Sequence, residues 1–253
     1  MSDVLLLTTQ QLNRIKPYFP VAYGVPRVDD RRVISGIIYV IRYGLQWKVA
    51  PKANGPHKTL YNRFVRWSQA GIFNKIFREL SRHSEACDCL MIDATHLKAH
   101  RTAASLRQKW LFPRCIGRTK GGLNSKLHAV CDDAGKPVYL LLTAGHASDG
   151  TGARCLLPNL SHAKHLIADR GSDADWFITA LKKQGLTPCI PPRKNRTRRR
   201  RYSKTLYKQR HKIEIMFGRI KDWRRIALRY DRCAHTFFSA ICLAATVIFY
   251  LKE

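Results

Sequence analysis

The chain has 253 residues, 45% of them hydrophobic, which allows one large domain or a large one beside a small one and excludes a chain disordered throughout. Its 46 Lys and Arg against 17 Asp and Glu give a formal net charge of +29, far beyond what solubility needs, so a polyanion is the expected partner. Nucleic acid leads and an acidic membrane trails, because no basic cluster sits beside a lipid-inserting amphipathic helix.

The eight cysteines are scattered without a Cys-x-x-Cys pair, which excludes a disulfide framework and an ordinary zinc module and fits a reducing cytosol. Cys87-x-Cys89 with His96 and His100 is a weak candidate for a metal site, since cysteines two apart on a strand are usually small apolar residues. The opening Met-Ser-Asp-Val-Leu-Leu-Leu-Thr-Thr has neither the basic segment nor the long apolar run of a secretory signal, so a cytoplasmic location is expected.

Residues 1–88 read as a small helical module. Thr8-x-x-Gln11 has the form of a capping box, opening a helix that Pro17 limits. Asp29-Asp30 leads a second helix, with Ile34, Ile37, Ile38 and Ile41 at helical spacing and Gly44 at its end. A third runs from about Lys58 to Ala70, burying Leu60, Phe64 and Trp67 and presenting Lys58, Asn62, Arg63 and Arg66. Those four are donors suited to phosphates and base edges, which makes this helix a candidate recognition helix in a helix-turn-helix-like DNA-binding domain. The loop before it, residues 45–57, is longer than the tight turn of that motif. A fourth helix follows Gly71 with Ile72, Ile76, Phe77 and Leu80.

From Cys89 the period changes, and residues 89–253 read as an α/β domain with a mixed sheet. Cys89 to Ile92 is an apolar strand that stops at Asp93. Residues 100–124 are a basic, turn-rich loop, and Ser125–Asp132 with Lys136–Thr143 form a hairpin around Asp133-Ala-Gly135. A helix follows Ser148-Asp149; His165 to Ala168 is a second apolar strand ending in a carboxylate, Asp169; Asp173-Ala-Asp175 starts another helix; and Thr187–Pro192 is a short strand. Residues 193–204 form a second basic loop, in which Arg193, Lys194, Arg196, Arg198, Arg199, Arg200 and Arg201 place seven cations in nine positions, suited to a phosphate backbone. The apolar tail from His235 to Leu251 is short for a bilayer span and reads as a buried closing helix.

Between basic loop and tail, Tyr202–Trp223 reads as one long helix. At about 100° per residue, Tyr207, Arg210, Glu214 and Lys221 share a sector of about 60° beside an apolar stripe of Ile213, Phe217 and Ile220. The bland alternative is an amphipathic helix with one Arg210–Glu214 pair. Carboxylates are scarce here, and Asp93 and Asp169 both follow apolar strands, where an uncompensated charge is costly. Two such aspartates and a helix glutamate make an oxygen ligand set suited to magnesium or manganese rather than zinc.

Asp93, Asp169 and the Tyr207-x2-Arg210-x3-Glu214-x6-Lys221 series together resemble the bacterial DDE transposases of insertion sequences, most closely the insertion-sequence-five group and its insertion-sequence-four relatives. The likeness extends over Tyr39–Trp47, Ile92–His96, Gly117–Leu123, Ala168–Gly171, Ile190–Arg193 and Trp223–Asp231. It implies an RNase H-like catalytic domain that cleaves and joins DNA strands with two Mg2+ or Mn2+ ions, Asp93 bridging them, Asp169 holding one and Glu214 the other. It further implies that Tyr207, Arg210 and Lys221 contact transposon-end DNA, that double-stranded DNA is the partner, and that a homodimer or higher oligomer forms on it. Ser172 departs from the family's usual aromatic after the Asp-Arg-Gly run. Two rivals stand beside this reading: an RNase H-like nuclease or resolvase without strand transfer, which shares every ligand, and a non-catalytic DNA-binding regulator, in which the amino-terminal helices and the arginine run supply the function and the three carboxylates have no use.

Overall fold

A computed structural model describes residues 6–21, 29–82, 87–105, 114–160, 163–197 and 200–251. In chain order the elements are α1 (Thr9–Ile15), α2 (Asp30–Tyr43), α3 (His57–Gln69), α4 (Ile72–Arg82), β1 (Cys89–Ala99), β2 (Gly117–Thr119), β3 (Gly122–Cys131), β4 (Pro137–Ala144), α5 (Asp149–Leu156), β5 (His165–Ile167), α6 (Asp175–Lys183), β6 (Thr187–Cys189), α7 (Lys204–Tyr207), α8 (His211–Lys221), α9 (Arg224–Ala227), β7 (Leu228–Arg229) and α10 (Ala234–Ala245). They fall into two compact units, each assembled from separate segments: residues 1–80, 99–114 and 219–253, and residues 81–98 and 115–218.

The first unit is helical. Thr8 accepts from the Gln11 backbone N–H at 3.1 Å while Gln11 accepts from the Thr8 N–H at 2.9 Å, so the capping box forms as read. Helix α2 ends at Gly44 with φ +67°, a conformation that glycine adopts without penalty. Ile34, Ile37, Ile38 and Ile41 of α2 and Leu60 and Phe64 of α3 are fully buried. Residues 219–253 cluster with these helices, whereas the division of the sequence at residue 88 groups them with the strands. The physical reason is α10, whose Phe237, Ala240, Ile241 and Ala244 are fully buried and which packs against α2 and α3. It ends in a π-helical turn over Thr246–Tyr250. No helix among the described residues is long and apolar enough to cross a membrane. Arg229 is wholly buried here, donating to the carbonyls of Asp231 (2.7 Å), Arg114 (2.7 Å) and Arg232 (3.1 Å), and Arg225 pairs with Asp231 at 2.9 Å. Each buried guanidinium is thus matched by acceptors.

Among its described residues the second unit holds six strands. β3 pairs antiparallel with β1, β2 and β4, and β1, β5 and β6 run parallel to one another in that order. The mixed sheet expected from the sequence is present. β2 and the start of β3 lie within the stretch read as a basic loop, turning at Gly122 with φ +92°; residues 106–113 of that loop lie outside the described residues. Leu90, Ile92, Val130, Leu166 and Ala168 bury one face against Ala153 and Leu156 of α5 and Phe177, Ile178 and Leu181 of α6. The opposite face carries Cys89, Met91, Cys131, Ile167 and Cys189 by strand alternation. Two bonds tie residues 203–217 to this side: the Cys189 thiol donates to the Ser203 carbonyl at 3.3 Å, and Lys212 donates to the Asp133 carbonyl at 2.6 Å. The single helix expected over 202–223 is instead α7, a 3-10 turn at Lys208–Arg210, and α8.

Glycine positions test the packing. A Cβ on Gly36 of α2 would meet Asn54 Cβ at 2.7 Å and Leu60 Cδ1 at 2.9 Å, so Gly36→Ala is expected to cost about 1–3 kcal/mol by overpacking. A Cβ on Gly218 of α8 meets nothing within 4 Å, so Gly218→Ala is expected to stabilise by about 0.5–1 kcal/mol. Urea unfolding of the two variants checks both signs.

Candidate active site

The parallel register of β1 and β5 places the two aspartates. Met91 pairs with Ile167, and Asp93 and Asp169 each lie two residues beyond that pair. They therefore leave neighbouring strands at the same end and on the same side, with strands about 4.8 Å apart. Both line a small cleft with Ile92, Ala94, His128, Asp149, Ala153 and Ser172.

Each carboxylate is oriented by the chain that follows it. Asp93 Oδ1 accepts from the Ala94 N–H at 2.8 Å and Oδ2 from Arg210 at 2.6 Å. Asp169 caps the 3-10 turn Arg170–Ser172, its Oδ1 accepting from the Ser172 N–H at 3.0 Å and the Ser172 hydroxyl at 2.9 Å. Ser172, conspicuous in the sequence for not being aromatic, thus fixes one carboxylate with a hydroxyl that an aromatic ring would not supply at that reach. Burial pushes the Asp93 carboxyl above the usual carboxylate range; the Ala94 N–H and Arg210 pull the other way, and Asp169 and Asp149 add to the upward push.

Glu214 joins through Arg210. The guanidinium donates to Glu214 Oε1 at 2.5 Å and to Asp93 Oδ2 at 2.6 Å, so one cation from the 3-10 turn links a strand carboxylate to a helix carboxylate. Tyr207, one turn earlier, is half-buried, and burial raises its phenol pKa, with Asp169 adding to the rise and Arg210 opposing it. These five residues belong to the second unit; Lys221 and the α3 residues belong to the first. Lys221 is half-buried, and burial lowers its ammonium pKa.

As a metal centre the set has the right chemistry in an incomplete arrangement. Its donors are carboxylate oxygens, which suit hard divalent cations, and Asp93 and Asp169 face one cleft. Yet among the described residues no three acidic, histidine or cysteine side chains stand close enough to hold one ion. Cys87, Cys89, His96 and His100 do not form a metal cluster either: Cys89 is buried with its thiol pushed up to about 12 by burial, His96 bonds the Gly145 carbonyl at 3.0 Å, and His100 caps a 3-10 turn.

The basic residues divide into committed and outward-facing ones. Lys58, Asn62 and Arg66 are exposed on α3, whereas Arg63 pairs with Asp30 at 2.6 Å, has a side chain 12% exposed, and lies over the Trp67 ring. In the arginine run, the Arg193 N–H donates to Asp173 at 2.8 Å, Arg196 binds Asp173 at 2.7 Å and Asp175 at 3.0 Å, and Arg200 pairs with both aspartates. Asp173, whose side chain is 1% exposed, is the anchor. Lys194 and Arg201 are exposed, and Arg198 and Arg199 lie outside the described residues.

Two residues of the cleft escape a reading of the sequence. His128 is buried on β3, its Nε2 2.9 Å from the Thr143 hydroxyl. Asp149, in the first turn of α5, pairs at 2.8 Å with Lys126, which is largely buried. The scarcity of acids that singles out Asp93 and Asp169 applies to Asp149 as well, but it follows no apolar strand directly.

Comparisons with known proteins identify the family and the fold. Residues 7–77 match the family model described as "Putative transposase of IS4/5 family", and residues 88–249 match the "Transposase DDE domain". A Brucella ovis protein named "Putative transposase for insertion sequence element IS6501" is 37% identical over 128 residues, 50% of this chain and 98% of that protein. The corresponding protein for element IS402 of Burkholderia cepacia is 28% identical over 175 residues, 60% of this chain and 81% of that one. Among solved structures, the piggyBac transposase in a synaptic complex with hairpin DNA matches with a TM-score of 0.55 at 9% identity, covering 98% of this chain and 73% of that one. That likeness is one of fold, and the fold is the RNase H-like one expected from the sequence.

His128 makes the cleft sensitive to acid. Burial, then Lys126, lowers its pKa to about 4, below the ordinary value of about 6.5. The unfolded chain therefore binds the proton first, and the stability due to neutral His128 is full above about pH 6.5 and is lost as pH falls toward 4. The loss is on the order of 2–3 kcal/mol. Urea titrations at pH 7 and pH 4.5 are expected to show a smaller acid-induced drop for His128→Gln than for the wild type.

Proposed function

The chain belongs to the DDE-domain transposase family of insertion sequences, and on that premise we propose that it binds the ends of its element and catalyses DNA cleavage and strand transfer at the cleft of Asp93, Asp169 and Glu214. The observation that carries this reading is the in-register departure of Asp93 and Asp169 from adjacent parallel strands, with Arg210 drawing Glu214 to Asp93. DNA binding alone gains nothing from carboxylates gathered in a basic protein.

Asp93, Asp169 and Glu214 would hold two divalent ions, Mg2+ or Mn2+, which when bound supply Lewis-acid stabilisation of the phosphodiester and activation of the attacking hydroxyl. The chain's own residues orient and position. The Ala94 N–H holds Asp93, and the Ser172 N–H and hydroxyl hold Asp169, so neither carboxylate has to be ordered when DNA arrives. Tyr207, Arg210 and Lys221 contact the end DNA, Arg210 with a fork that matches a phosphate. In the first displacement water adds to phosphorus at the element end and the broken bond leaves a 3′-hydroxyl on the element. In the second that hydroxyl adds to a target phosphorus and the target's own 3′ oxygen leaves. No protein-bound intermediate is formed.

Away from the cleft, Lys58, Asn62 and Arg66 on α3 and Lys194 and Arg201 in the arginine run offer exposed donors to double-stranded DNA. Arg193, Arg196 and Arg200 shape that run through Asp173 and Asp175, with Arg198 and Arg199 adding charge within it. Arg63 supports α3 from its pair with Asp30. Two ends must be brought together for transfer, so a homodimer or higher oligomer on DNA is part of the proposal, as is a cytoplasmic site of action.

Asp93→Asn, Asp169→Asn and Glu214→Gln are each expected to cut strand transfer by roughly a thousandfold or more while DNA binding persists. A strand-transfer assay with element-end DNA and Mg2+ or Mn2+ checks this. Cleavage without joined product from the wild type would point to a nuclease, and binding without metal-dependent chemistry to a regulator. Lys194→Ala and Arg201→Ala are each expected to weaken binding alike across sequences and to lower the slope of log affinity against log salt by about one, read by fluorescence anisotropy at several salt concentrations.

A further inference from the structure

Arg210 stands where the carboxylates need a cation. Its guanidinium binds Asp93 at 2.6 Å and Glu214 at 2.5 Å, and the side chains of Arg210 and Asp93 are each only 20% exposed. The lone pairs it engages belong to two of the three residues assigned above to metal, and no three donors converge among the described residues. We propose that Arg210 is a built-in counter-cation that competes with divalent metal for Asp93 and Glu214, so that loading the site requires its guanidinium to leave.

The surroundings fit a replaceable cation rather than a permanent structural pair. Arg210 Nε is buried with no hydrogen-bond partner, so the guanidinium is not saturated here as Arg229 is by its three carbonyls. Glu214 is 57% exposed, so that arm of the bridge opens into water at little cost. The residue sits in the 3-10 turn between α7 and α8, where the α-helical ladder is already interrupted. A DNA phosphate offers the fork an equivalent bidentate acceptor, so Arg210 can exchange carboxylates for phosphate as DNA docks, releasing the carboxylates to the ions when they are needed. Keeping the site closed to metal without DNA also guards against hydrolysis of unintended strands.

This inference rests on the reading of Asp93 and Glu214 as metal-holding residues, and the test separates the two. Mn2+ binding to the full-length, DNA-free protein is measured by calorimetry for the wild type, Arg210→Gln and Arg210→Lys, each also combined with Asp93→Asn, with circular dichroism confirming that each variant is folded. Removing the guanidinium charge is expected to tighten Mn2+ binding about tenfold or more. Arg210→Lys, which keeps a cation, is expected to stay closer to the wild type than Arg210→Gln, and Asp93→Asn to abolish the tight site in every background. Equal, weaker or absent Mn2+ binding in folded Arg210→Gln, with Asp93→Asn abolishing whatever binding is seen, overturns the counter-cation role and leaves the catalytic assignment standing. Tight Mn2+ binding that survives Asp93→Asn overturns the metal-site assignment itself, and the counter-cation role with it.

Discussion

A single guanidinium ties the strand-borne Asp93 to the helix-borne Glu214, and the second unit depends on charge compensation of this kind. Asp93 and Asp169 emerge from apolar strands next to one another, and Asp149 opens into the same cleft. Three carboxylates in a half-buried space repel one another, and burial raises the cost of ionising Asp93. Cations have to be supplied by the chain or by solution. Arg210 supplies one for Asp93, Lys126 supplies one for Asp149, and Asp169 is served instead by neutral donors from Ser172.

The large basic excess is organised by the same economy of acids. Asp173 is buried and gathers the Arg193 N–H, Arg196 and Arg200, while Asp175 adds a second acceptor for Arg196 and Arg200. An unbroken run of arginines would repel itself and stay extended in water. Two aspartates at the start of α6 fold it back, leaving Lys194 and Arg201 outward. In the helical unit Asp30 does the same for Arg63, and Asp231 for Arg225. Net charge therefore overstates the number of cations free to meet DNA, and the distinction lies in which arginines have an acid within reach.

The convergence of Asp93, Asp169 and Glu214 on one region was legible in the sequence, for a physical reason. An apolar strand that stops at an aspartate is a costly arrangement, and in a chain with few acids two of them followed by a helix glutamate at a basic edge narrow the possibilities sharply. The capping box at Thr8, the glycine stop at Gly44 and the Asp133–Gly135 hairpin turn were legible because each is a local rule. Relations set by tertiary contact were not. Nothing in the spacing of His128, Asp149 and Asp93 brings them to one cleft; the sheet register and the packing of α5 do so. The pairing of Arg63 with Asp30 spans 33 positions, and the arginine run read as open charge because its partners lie about 20 residues earlier. The tail was readable as buried, but not that α10 packs with α2 and α3, since an all-apolar helix announces burial without naming its partner.

The most direct measurement is a crystal structure of the protein with element-end DNA and Mn2+, with the ions located by anomalous scattering. Manganese contacted by Asp93, Asp169 and Glu214, with Arg210 moved from the carboxylates to a phosphate, is the predicted result. Manganese bound elsewhere, or bound by these carboxylates while Arg210 still bridges Asp93 and Glu214, would contradict it.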